Sequence, residues 1–189
     1  LFALAAMAIG QPYAPIAPSY SLAAQEHVTL RALWGALDPE VVFVADPAPF
    51  SRALDAVMRP GTTVITSAAV PDQSRRTTSI TALAATPATH DVDDTAARVG
   101  PDTIAKILFT SGSTGSPKGV TQTQRGVMFF ADAFVRRLSL GEADRLSLLW
   151  AMSFAAANMH VYGGLLNGAT VCAYDLRRDG IGGLAEWLD

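Results

Sequence analysis

The chain has 189 residues, of which 50% are hydrophobic and 16% charged, with a formal net charge of −3. That is enough for one sizeable core or two small ones and reads as a globular protein. Nucleic acid is excluded as a partner, because backbone-phosphate binding needs a stripe of Lys and Arg, and here the basic residues fall in isolated pairs, Arg75-Arg76, Arg136-Arg137 and Arg177-Arg178, that read as solvated edges.

The opening run LFALAAMAI has no basic flank and is too short to cross a bilayer, so it reads as a buried helix end and not as a signal peptide or membrane span. Residues 22–37 place apolar side chains at 22, 30, 33, 34 and 37, with Ser21 as N-cap and Asp38-Pro39 as the stop, which predicts an amphipathic helix. The β-branched run 41–45 predicts a strand covered on both faces. A helix over 48–58, a turn at Arg59-Pro60-Gly61 and a strand over 62–66 follow. This alternation implies a largely parallel sheet with crossover helices.

Between residues 70 and 102 the pattern loosens around Pro71, Pro87 and Pro101, with a short helix expected over 79–85. Asp91, Asp93 and Asp94 lack the spacing of a metal-binding loop and read as a solvated connector. A buried strand is expected over 104–109, a second short strand over 119–123, and a helix over 124–138 with Val127, Phe130, Phe134 and Leu138 on one face. Next come a strand over 146–150, a helix over 153–166 closed by Asn167-Gly168, a strand over 169–173, and the start of a helix in 181–189. Cys172, the single cysteine, cannot form an internal disulfide, which favours a reducing, cytoplasmic setting.

The most informative stretch is ILFTSGSTGSPKGV, residues 107–120. Thr110, Ser111, Ser113 and Thr114 supply hydroxyls, while Gly112 and Gly115 allow positive φ and close backbone approach, so that successive N–H groups can converge on an anion. Lys118 adds a positive charge. Each charge-assisted hydrogen bond contributes roughly 1.5–3 kcal/mol, so several of them suffice for a polyphosphate tail. Counting from Gly112, the spacing fails both the Walker A loop and the dinucleotide GxGxxG pattern. Residues 180–185 do match GxGxxA, but residues 174–178 separate the match from the nearest strand, and chance explains it better. A flexible Ser/Gly linker is the alternative for the main loop, disfavoured by the strand pattern that precedes it. His27, His90, His160 and Cys172 share no zinc-ligand spacing, and neither Ser111 nor Ser113 sits in a GxSxG elbow. No metal site is expected, and His160 reads as a hydrogen-bonded structural histidine ahead of a pocket gate.

Residues 110–119, TSGSTGSPKG, resemble the signature loop of the adenylate-forming (AMP-binding) superfamily, which includes acyl- and aryl-CoA synthetases and nonribosomal peptide adenylation domains. The part up to Gln124-Arg125 looks most like aryl-CoA synthetases of the feruloyl type, whereas RLSLLWAM and LLNGATVCAYDLRRDG look more like adenylation domains of carrier-protein assembly lines. The resemblance implies an α/β fold, a layered, largely parallel sheet flanked by helices, in which residues 1–189 form a partial N-terminal domain divisible into 1–100 and 101–189, the C-terminal domain lying beyond. It implies activation of an aryl or acyl carboxylic acid with ATP and Mg²⁺, then transfer to CoA. The alternatives are transfer to the phosphopantetheine of an acyl carrier domain, or an inactive nucleotide-binding fragment. In the same resemblance Thr110, Ser111, Gly112, Ser113, Thr114, Gly115 and Lys118 hold the phosphates, with Lys118 and Thr114 acting catalytically. Phe154 and Ala155 wall the acyl pocket. Amino-acid-activating relatives often carry an aspartate where this chain has Ala155, so an aromatic or aliphatic acid fits better than an α-amino acid. The ribose and metal ligands would lie past Asp189, and Tyr162-Gly163-Gly164-Leu165 does not replace them.

Overall fold

The computed structural model describes residues 1–23, 26–67, 75–110 and 117–188. The chain forms two compact units, one from Leu1–Ala5, Ile16–Arg98 and Phe109–Gly119, the other from Ala6–Pro15, Val99–Leu108 and Val120–Asp189.

In the first unit, helix α1 (Phe2–Ala8) contributes Phe2, which stacks on Phe43 at 5.5 Å. The helix expected over 22–37 is broken. Ser21 lies inside a short helix, α2 (Ser19–Leu22), and α3 (Val28–Leu37) starts afresh after His27, whose φ of 52° cannot continue a right-handed helix. No side chain caps α3, so the expected role of Ser21 is corrected, and Leu22 is half exposed. Helix α3 buries Leu30 and Leu33 and stops at Asp38, as anticipated, where the backbone turns left-handed and the N–H donates to Trp34 O at 2.8 Å.

Strand β1 (Val41–Phe43), helix α4 (Ser51–Val57) and strand β2 (Thr63–Thr66) make a β-α-β unit, with β1 parallel to β2 and Val42 opposite Val64. A third parallel strand, β3 (Thr77–Ser79), joins the other side of β2. Central β2 buries Val64, Ile65 and Thr66. Edge strand β1, by contrast, leaves Val41 47% and Phe43 39% exposed, which corrects the expectation of a strand covered on both faces. An edge strand has a neighbour on one side only, and the continuous apolar run could not reveal that position. Helix α5 (Ile80–Ala84) is capped by Ser79, whose Oγ accepts from Ala82 N at 3.0 Å. The acidic stretch, expected as a solvated connector, is solvent-exposed but helical, α6 (His90–Ala97). Asp91 and Asp93 lie in its first turn, where carboxylates complement the helix dipole, and all three aspartates are exposed. Arg75 is not a free edge: its side chain is 16% exposed, and its guanidinium pairs with Asp55 and donates to Ser51 O.

The second unit contains most of a two-stranded sheet, β4 (Ile104–Thr110) and β5 (Lys118–Thr123). Strand β5 runs straight into α7 (Gln124–Leu138), because Thr123 Oγ1 accepts from Gly126 N and caps the helix. The bounds of α7 are those expected, but its buried stripe is Val127 and Ala131, while Phe130 and Leu138 are more than half exposed. Strands β6 (Arg145–Leu148) and β7 (Thr170–Ala173) pair in parallel around the crossover helix α8 (Ala155–Leu165). Strand β6 ends earlier than expected, leaving Trp150 half exposed. Short helices α9 (Leu176–Asp179) and α10 (Leu184–Leu188) complete the chain.

Helix α8 packs on α7, β6 and β7 because it carries two adjacent glycines. A methyl at Gly163 would lie 2.9 Å from Phe134 Cδ1, and one at Gly164 would lie 2.7 Å from Val171 Cγ2. The helix closes where predicted: Gly168 adopts φ of 77° and Ala169 N donates to Gly164 O at 3.1 Å.

Tyr13 ties the early segment of this unit to its core. Its N–H donates to Ala105 O at 3.2 Å, its carbonyl accepts from Ile107 N at 2.9 Å, and its hydroxyl is hydrogen-bonded to that of Tyr162. Tyr162 is 1% exposed, and burial raises both phenol pKa values above the ordinary range. Replacing either tyrosine by Phe leaves the other hydroxyl without this partner. Each single variant is expected to lose about 1–3 kcal/mol in equilibrium urea unfolding, and the double variant to lose less than the sum by at least about 0.5 kcal/mol.

Candidate functional site

Thr110 is the last residue of β4 and Lys118 the first of β5, so the paired strands bring in both ends of the signature loop. Both residues are exposed. Ser111, Gly112, Ser113, Thr114 and Gly115 lie outside the described residues. The segment after the loop is a strand, as expected, and begins one residue earlier, at Lys118. Among the described residues this donor set, a hydroxyl and an ammonium flanking a Ser/Gly-rich connection, suits an anionic tail. No three His, Cys, Asp or Glu side chains among the described residues gather as a metal site.

Phe154 and Ala155 open α8. Phe154 is its N-cap, in extended conformation and 58% exposed, while Ala155 is the first helical residue. Ala155 lines a cavity of about 150 Å³ together with Lys106, Gln122, Val127, Phe130, Ala131, Asn158 and Met159. On the same helix Tyr162 belongs to the core and Met159 lines the cavity, whereas Phe154 does not line it. His160 is structural, as expected: Nδ1 donates to Ala156 O at 3.0 Å, and the ring lies 5.4 Å from that of Phe134.

The sequence reading missed Lys106. It occupies an inward position of β4, between Ala105 and the half-buried Ile107, and is 1% exposed. Its Nζ lies 5.5 Å from the centroid of the Tyr162 ring, a cation–π contact. Among the described residues it has no carboxylate partner. Burial lowers its pKa from 10.5 to about 8. Asn158 is 7% exposed, and its Nδ2 makes a long hydrogen bond of 3.5 Å to Phe154 O, while Oδ1 has no partner among the described residues. A charged residue inside a strand otherwise read as buried was the available signal, because lysine is almost never fully buried without compensation.

An α/β architecture with Thr110 and Lys118 on paired strands at the two ends of a Ser/Gly-rich segment is the arrangement that the sequence resemblance implies for a nucleotide-binding enzyme. A family model described as "AMP-binding enzyme" matches residues 1–186, and the chain belongs to that family. It is 40% identical over 79 residues to tyrocidine synthase 2 of Brevibacillus parabrevis, a match covering 42% of this chain and 2% of that protein. Among solved structures, IdnL7 superposes with a TM-score of 0.70 at 22% identity, over 98% of this chain and 35% of that one. The nonribosomal peptide synthetase FmoA3 superposes with a TM-score of 0.57 at 30% identity, over 89% of this chain and 15% of that one. The chain thus spans a small part of its curated relatives, and no helix among the described residues is long and apolar enough to cross a membrane.

The buried ammonium gives the fold a pH signature. Because the folded pKa of Lys106 lies below its ordinary value, the unfolded chain binds more protons between about pH 8 and 10.5, and stability contributed at this residue rises with pH across that window. Its titratable neighbours Tyr13 and Tyr162 have raised pKa values and stay neutral there. Lys106→Met is expected to be more stable than the parent by roughly 1–3 kcal/mol at pH 7 in urea unfolding, with the difference shrinking toward pH 10.

Proposed function

We propose that the protein activates a carboxylic acid with ATP, giving an acyl-adenylate and pyrophosphate. The observation that carries this reading is membership of the AMP-binding enzyme family over residues 1–186, with Thr110 and Lys118 on paired strands at the two ends of the signature loop. Amides and hydroxyls of Ser111, Gly112, Ser113, Thr114 and Gly115, with Thr110 and Lys118, hold the β- and γ-phosphates. The acid carboxylate can then attack the α-phosphorus in line, and Thr114 and Lys118 stabilise the charge that develops on the leaving pyrophosphate. Bound Mg²⁺ would neutralise the phosphates further; no three His, Cys, Asp or Glu side chains among the described residues gather to hold it.

The acceptor we favour is the phosphopantetheine arm of a carrier domain. Similarity to a tyrocidine synthase and to the peptide synthetase FmoA3 supports it, whereas transfer to CoA rests on the resemblance of the first part of the chain to aryl-CoA synthetases. The acid is an aryl or alkyl acid lacking an α-ammonium group. Ala155, in the cavity wall, offers no carboxylate to such a group.

The test is exchange of labelled pyrophosphate into ATP by the intact protein with a panel of aryl, alkyl and amino acids. Acid-dependent exchange is expected with aryl or alkyl members, and none with any acid would overturn the proposal. Lys118→Ala is expected to slow exchange at least about tenfold, equivalent to about 1.4 kcal/mol of transition-state stabilisation.

A further inference from the structure

Two buried polar residues that line one cavity, Lys106 and Asn158, have complementary needs. Lys106 Nζ can only donate hydrogen bonds and, among the described residues, has no acceptor other than the Tyr162 ring face. Asn158 Oδ1 can only accept, is buried, and has no donor among the same residues. Around them the wall is apolar, with Val127, Phe130 and Met159. At about 150 Å³ the cavity has the size of one six-membered ring or a short alkyl chain.

Three kinds of tail can be compared. A hydrocarbon tail fills the volume but leaves both polar groups unsatisfied, each at a cost in binding. A carboxylate tail accepts from Lys106 but brings negative charge toward an oxygen that needs a donor. A hydroxyl accepts from Nζ through its lone pair and donates its proton to Oδ1, so one group satisfies both. We propose that Lys106 and Asn158 are specificity-determining residues that bind a hydroxyl carried by the acid at the end remote from its reacting carboxylate. This rests on the acid-activation reading above, since Ala155, at the head of α8, opens onto the same cavity. Aryl and alkyl hydroxyls share the chemistry, and the assay separates them. The lowered pKa of Lys106 adds to the case, because a bound acceptor stabilises the ammonium that burial disfavours.

The first arm of the test needs no ATP. Binding of phenol and of toluene to the chain is compared by ligand-observed NMR. Phenol is expected to bind at least about tenfold more tightly, a preference that Lys106→Met and, independently, Asn158→Leu reduce toward unity. The wild-type comparison requires no variant to fold, and equal affinities for the two probes would overturn the proposal, as would a preference unchanged in folded variants. The second arm measures pyrophosphate exchange by the intact protein with para-hydroxy and unsubstituted aryl acids, and with terminally hydroxylated and plain alkyl acids of equal length. At least about a tenfold advantage for the hydroxylated member of one pair is expected. Exchange without such an advantage overturns the specificity role alone. Absence of exchange with every acid overturns it together with the acid-activation reading.

Discussion

Tyr162 stands where three demands meet: its ring is wholly buried, its hydroxyl needs a partner, and an ammonium sits against its face. Tyr13 answers the second demand and thereby fixes the early segment alongside β4. The aromatic face answers part of the third, since an electron-rich ring is the nearest compensation available to Lys106 among the described residues. Around this arrangement α8 closes on its neighbours by having no side chains at Gly163 and Gly164. The cavity beside Lys106 follows from the same packing, with small Ala131 and Ala155 in its wall where larger residues would fill it.

Chemistry and architecture divide between two places in the chain. On the proposed reading, the ends of β4 and β5 serve the phosphates and the head of α8 serves the organic acid. Membership of the AMP-binding enzyme family unites the two. On the proposed reading, Ala155 stands where amino-acid-activating relatives often carry an aspartate, which is why the acid proposed lacks an α-ammonium group.

Elements with strong periodicity or clear punctuation could be read from the chain. Helix α7 has the expected limits because Thr123 caps it and its apolar spacing is helical, and the Asn167-Gly168 closure of α8 follows from a glycine that tolerates positive φ. The break between α2 and α3 was not legible, since it depends on His27 adopting a left-handed conformation with no glycine to announce it. Helix α6 escaped notice because its stabilising feature is charge near the N-terminus, with little apolar pattern to detect. The apolar stripe of α7 was misassigned at Phe130 and Leu138, because periodicity names a face but not how much of it a neighbour covers. In the site, family membership was legible from residues 110–119. Lys106 was not, because burial is decided by partners distant in sequence, Tyr162 and the helix that bears it.

The double glycine in α8 also sets limits on how this chain can drift over generations. A single codon change to alanine at either position is favoured by helix propensity yet obstructed by carbon atoms closer than any ordinary contact, those of Phe134 on one side and of Val171 and Leu146 on the other. Neutral wandering at these two sites is therefore contingent on earlier shrinkage of the facing residues, so that lineages could reach a bulkier α8 only by an ordered pair of changes, the partner side chain first and the helix second.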